Sequence, residues 1–187
     1  MKIVFLALLM LMPLNADAGA LTPDSVLQTP ATFTDQDGTP FRLASRQGKV
    51  QIVAMFYTSC QYICPLIIDS AKGIDHALGE TERSGLRVLL ISLDAERDTP
   101  AVLRAVTNDR HLDTARWTLA HTDADGVRNT AALLGIRYRK LEGGDFNHTS
   151  AMILLDRTGR IVARTEKLGP VPDPDFLDAV KRTLAQP

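Results

Sequence analysis

Two stretches, Val50–Tyr57 (VQIVAMFY) and Leu86–Leu93 (LRVLLISL), are apolar almost without interruption, and they constrain the fold more than any other feature of the chain. A strand with one wet face alternates polar and apolar residues, whereas a strand covered on both faces does not have to. Each run is therefore expected inside a sheet with helices on either side. Between them, Leu66, Ile67, Ile68, Ala71, Ile74, Ala77 and Leu78 recur at helical spacing, which predicts a helix from Pro65 to about Leu78 with Gly79 as its terminator.

The remaining elements follow from turn and cap signals. Ala31–Thr34 and Pro40–Leu43 flank Asp35-Gln-Asp-Gly38 and read as a hairpin. Thr99 can cap a helix whose first turn holds Pro100, running to about Asp109. Trp117–Ala120 is a short strand, Asp125–Leu134 a helix stopped by Gly135, and Ile136–Arg139 a short extended piece. Ala151–Asp156 and Ile161–Thr165 form a second hairpin around Arg157-Thr-Gly-Arg160, and Pro172–Leu184 a closing helix. Strands alternating with helices and ending in an antiparallel pair imply an α/β mixed sheet flanked by helices, the thioredoxin-like pattern with an N-terminal β-hairpin.

With 187 residues, 45% of them hydrophobic, the chain is sized for one domain. Its 21 basic and 22 acidic side chains balance and form no like-charge run, so nucleic acid is not an expected partner. Lys2, the apolar run Ile3–Leu14 and the small-residue pattern Ala16-Asp17-Ala18 read as a cleavable signal peptide over residues 1–18. The run is shorter than the roughly 20 apolar residues that span a bilayer, although an uncleaved anchor facing the periplasm is the alternative. Residues 19–30, with Pro23 and Pro30, are expected to be an extended lead-in with little regular structure, ahead of a domain over 31–187.

Export puts both cysteines, Cys60 and Cys64, where disulfides can form. They directly follow the Val50–Tyr57 strand and precede the helix, with Pro65 making Cys64 a better cap than interior residue. A helix amino terminus favours thiolate over thiol. One helical turn between them sets their α-carbons about 6 Å apart, a separation that suits a disulfide and shared metal ligation equally. A redox pair, a metal site and an inert surface disulfide all remain open at this level.

Histidine is the obvious complement, since two thiolates and one imidazole make a soft, low-coordinate set suited to Cu(I) and able to hold Cu(II). His76 and His111 read as solvated helix-surface groups. His148, just before the Ala151 strand, and His121, at the end of the Trp117 strand, are the two candidates. The bland reading of His148 is a loop residue that hydrogen-bonds its own turn. Asp94, Glu96, Arg97 and Asp98 follow the second central strand; a solvated loop with a helix cap is the expected reading, and orientation of the cysteine loop or partner docking the other. Phe56 and Tyr57 read as core aromatics, and Met55 and Met152 as strand packing rather than copper thioethers.

Three blocks, YTSCQYICP, ISLDAERDTP and DFNHTSAMILLDRTGRIV, resemble in that order the signature segments of the Sco/SenC family, over nearly the whole mature chain. The resemblance implies a thioredoxin-like fold, copper bound by Cys60, Cys64 and His148, and a metallochaperone rather than an enzyme. It implies as partner a copper-receiving protein such as a cytochrome c oxidase subunit with its dinuclear copper site, alongside another periplasmic copper carrier. The pattern departs where Gln61 and Tyr62 replace the family's proline and aspartate, where Ala95 replaces proline, and where Asn147 stands for aspartate. Less negative charge near the ligands favours Cu(I) over Cu(II). The rival function is a thiol-disulfide oxidoreductase using Cys60 and Cys64 as a redox pair that reduces the copper-receiving protein. Against a general thioredoxin, three residues rather than two separate the cysteines, and His148-Thr149 stands where that fold's proline would precede the Ala151 strand.

Overall fold

The computed structural model describes residues 21–60 and 63–186; the expected signal peptide and the Gln61-Tyr62 insert lie outside them. The centre of the fold is β3 (Val50–Phe56), every residue of which is buried, flanked by β4 (Leu86–Ser92), buried at all but Arg87. Both apolar runs thus occupy the two-sided interior that their lack of alternation requires. β3 and β4 pair in parallel from Val50↔Leu86 to Phe56↔Ser92.

Seven strands form one sheet in the order β2-β1-β5-β4-β3-β8-β9, where β1 is Thr32–Asp35, β2 Pro40–Arg42, β5 Trp117–His121, β8 Met152–Leu155 and β9 Ile161–Thr165. Both expected hairpins are present. β8 runs antiparallel to β3, with Ala54 opposite Met152 and Gln51 opposite Leu155. This direction matters for function, because the residues entering β8 arrive at the edge where β3 ends.

Helices flank the sheet: α1 (Ile63–Ala77) packs on β3, α3 (Pro100–Asp109) on β5 and β1, and α5 (Pro174–Leu184) on β9. Thr99 caps α3 by accepting the Val102 N–H, and Asp123 caps α4 (Ala124–Leu133) by accepting the Gly126 N–H at 2.7 Å. Gly135, at φ +64°, ends α4 in the left-handed region as anticipated.

Four local features differ from expectation. α1 starts at Ile63, so Cys64 lies inside its first turn rather than capping it. Gly79 opens a short helix, α2 (Glu80–Gly85), where the Glu82 carboxylate accepts the Gly79 N–H at 2.9 Å. The extended piece after Gly135 belongs to a separate two-stranded hairpin, β6 (Tyr138–Lys140) with β7 (Phe146–His148). The lead-in contains a single 3-10 turn, Val26–Gln28, and both Val26 and Leu27 are buried in the main core. That turn is pinned to the β8–β9 turn by Ser25 Oγ donating to Thr158 O at 2.6 Å and Val26 N–H donating to Gly159 O at 2.9 Å. The packed unit therefore reaches back past residue 31. Among the described residues, no helix is long and apolar enough to cross a membrane.

Candidate metal centre

At the carboxyl end of β3 the chain turns at once, with Cys60 N–H donating to Tyr57 O at 3.4 Å. The two cysteines meet across this turn: Cys64 N–H points to Cys60 Sγ at 3.4 Å, and Tyr57 N–H points to Cys64 Sγ at 3.3 Å. Cys60 sulfur thus takes the capping role expected of Cys64, because it receives a backbone donor of the first helical turn. No disulfide joins the two cysteines; Cys60 is half-buried and Cys64 buried. Burial pushes the Cys64 thiol well above its ordinary range, against the expectation of a thiolate, and the Tyr57 N–H offsets only part of that.

His148 arrives from the other direction, on β7, opposite Tyr138. Its Nδ1 lies 3.1 Å from its neighbour's carbonyl, Thr149 O. A carbonyl only accepts, so Nδ1 carries the proton and Nε2 keeps its lone pair for a ligand. The local hydrogen bond of the bland reading is thus also the bond that orients a metal-binding imidazole. Burial lowers the His148 pKa and favours the neutral ring. His121 sits at the end of β5, two strands from β3, which is about 10 Å at 4.8 Å per step.

Tyr57 stands between the two halves. Its ring meets the His148 ring edge-on at 5.9 Å and the Phe146 ring at 5.2 Å. Its hydroxyl donates to Phe146 O at 3.4 Å. Expected only as a core aromatic, it is buried but carries its polar end into the site. No three His, Cys, Asp or Glu groups among the described residues converge as a ligand set. The structure brings Cys60 and Cys64 together and sets His148 next door, across one phenol.

A cavity of about 160 Å³ opens beside the sulfurs, lined by Phe56, Tyr57, Cys60, Cys64, Ile68 and Val106 among others. His148 faces a separate, wider recess with Arg137, Arg139 and Glu166. The Asp94–Asp98 segment is solvated only in part: Glu96 and Arg97 are exposed, as its composition suggests, but its two aspartates are not. Asp94 and Asp98 are each 1% exposed. Met55 and Met152 are core residues, as expected.

The SCO1/SenC family model matches residues 20–185. The chain belongs to the SCO1/SenC family. The SCO1 protein homolog of Bacillus subtilis is 26% identical over 155 residues, covering 81% of this chain and 80% of that one. The SCO1/SenC fold is equally plain in solved structures. Copper-bound ScoI of Bradyrhizobium japonicum superposes with TM-score 0.69 at 25% identity, over 83% of this chain and 98% of that one. BsSco, a Sco-family cytochrome c oxidase assembly protein in which a disulfide switch was identified, gives TM-score 0.71 at 24% identity, over 85% and 94%. The thioredoxin-like architecture read from strand and helix order is that of its structural neighbours.

Proposed function

We propose that the protein binds one copper ion through Cys60, Cys64 and His148 and hands it to a copper-receiving protein during assembly of a dinuclear copper centre, as in a cytochrome c oxidase subunit. The observation that carries this reading is the paired sulfurs, one phenol away from an imidazole whose Nδ1 is already committed, leaving Nε2 as the ligand atom. Soft sulfur donors select Cu(I), and three ligands leave room for a partner's donor to enter. Copper-bound ScoI, 25% identical, supports the same assignment. The apolar leader and its Ala16-Asp17-Ala18 pattern support export to the periplasm.

A second reading has its own support. The two sulfurs face one another across a single turn, so the pair can close to a disulfide, and BsSco contains a disulfide switch. On this reading the dithiol reduces a cysteine pair of the copper-receiving protein: two electrons and two protons pass to the partner disulfide while Cys60 and Cys64 join.

Copper titration decides between them. The mature protein is recovered from a periplasmic extract, so that its presence there also tests export. One Cu(I) per reduced monomer is expected. Unchanged stoichiometry and affinity in Cys60→Ser, Cys64→Ser and His148→Ala would refute the copper site. Turnover in a copper-free, dithiol-driven reduction assay would move the assignment to the oxidoreductase.

A further inference from the structure

Both halves of the site are held by one loop. Asp98 accepts the Thr58 N–H at 2.9 Å and is also hydrogen-bonded by the hydroxyls of Thr58 and Ser92. A carboxylate only 1% exposed is tolerated there because three donors replace its water shell. Thr58 is two residues before Cys60, in the turn that carries both sulfurs. One position before Asp98, Arg97 reaches the opposite way. Its guanidinium pairs with buried Asp94 and donates to the carbonyl of Gly144, in the turn between β6 and β7. Gly144 has φ +83°, and a Cβ there would lie 3.2 Å from Arg97 Nη1, so the bare backbone seats the guanidinium. Glu96 adds an exposed pair with Lys140 of β6 at 2.7 Å.

We infer that Asp98 and Arg97 are positioning residues, Asp98 for the turn that carries the cysteine pair and Arg97 for the hairpin that carries His148. The inference rests on the copper reading above for its purpose. Asp98 acts on the sulfurs through Thr58, and Arg97 acts on His148 through Gly144 and the hairpin. A loop that only covered the sheet would have no reason to aim one carboxylate at the cysteine turn and the adjacent guanidinium at a carbonyl 47 residues away.

The test uses the mature, reduced protein with Arg97→Ala and Asp98→Asn, each alone and combined with His148→Ala. Three readouts are Cu(I) affinity by chelator competition, the alkylation rate of Cys60 without copper, and the NMR signals of the His148 ring without copper. Arg97→Ala should weaken Cu(I) binding about 10-fold, within the range for residues that support metal ligands. It should move the His148 ring signals, leave Cys60 alkylation unchanged, and have no further effect once His148 is removed. Asp98→Asn should alter the alkylation rate of Cys60, leave the His148 ring signals in place, and weaken binding about 10-fold with or without His148. Thr58→Val, which keeps the backbone contact, should show the Asp98→Asn changes in smaller size and serves if Asp98→Asn does not fold. Equal losses from Arg97→Ala with and without His148, or wild-type alkylation in both Asp98→Asn and Thr58→Val, would overturn the inference. A wild-type protein that binds no copper would refute the copper reading, while the alkylation and NMR arms would still decide the positioning roles.

Discussion

The two halves of the site are built on different principles. The cysteine half is built mainly from local structure: strand, turn and helix succeed one another within a few residues, the backbone N–H groups of Tyr57 and Cys64 hold the sulfurs, and Asp98 reaches in from afar, at Thr58. The histidine half lies on a three-residue strand of a small hairpin outside the main sheet, and it is held by side chains from elsewhere. Backbone that continues a seven-residue, fully buried strand is fixed by the same burial that stabilises the domain. A two-stranded hairpin is marginal by itself and depends on what it leans against. The cysteines are thus a fixed platform, and His148 is an attached arm whose placement depends on Tyr57, Arg97 and Phe146.

Four substitutions test that contrast. The largest effect belongs to the platform's foundation. Leu90, fully buried in β4 beside β3, should on change to Ala lower stability by about 3 kcal/mol, from the usual range for large-to-small core changes. Chemical denaturation measures the loss, and Cu(I) affinity at saturating folded fraction should stay within about twofold if core and site are separable. An affinity drop as large as the stability drop would dissolve the distinction.

Next come the ligands themselves. One ligand's share of a four-ligand structural metal site is about 3 kcal/mol, roughly 100-fold in affinity. Cys64→Ser should lose at least that much, since it removes a thiolate and leaves a buried hydroxyl in its place. His148→Ala should lose closer to about 10-fold, because a two-sulfur site still holds Cu(I). Chelator competition gives both numbers, and a greater loss for His148→Ala than for Cys64→Ser would reverse the ranking of platform and arm.

The smallest effect tests what does not hold the arm. The Lys140–Glu96 pair is exposed, with 47% and 77% of the two side chains open to solvent, and such pairs contribute about 0–1 kcal/mol. Lys140→Ala should therefore leave thermal stability and Cu(I) affinity near wild type. A loss of about 10-fold would mean that the hairpin is held by surface charge rather than by Arg97 and Tyr57.

How far the site could be read from sequence follows the same division. The cysteine pair was legible because its setting is written in consecutive residues: a continuous apolar strand, then Cys60, Cys64 and Pro65, then helical spacing. The β6–β7 hairpin was not, since Tyr-Arg-Lys and Phe-Asn-His are too short and too polar to show a strand period. Asp94 and Asp98 looked solvated because Asp-Ala-Glu-Arg-Asp is charged at every position but Ala95. Their burial depends on Arg97 turning back over Asp94 and on hydroxyls of Thr58 and Ser92 from other segments. The state of Cys64 was misread for a related reason. A helix start favours thiolate locally, but the packed core around the sulfur outweighs it, and the strand-to-helix pattern carries no measure of that burial.

The sequence by itself determined the two buried strands, the helix between them, both main hairpins and the siting of Cys60 and Cys64 where strand becomes helix. These follow from periodicity, turn chemistry and caps, which act over a few residues. Only the tertiary structure decided that β8 runs antiparallel to β3 and so returns His148 to the cysteine edge, that Tyr57 separates imidazole from sulfur, and that one acidic loop braces both sides. Such contacts join residues 40 to 104 positions apart. They exist because burial forces each polar group to find a partner wherever the fold supplies one.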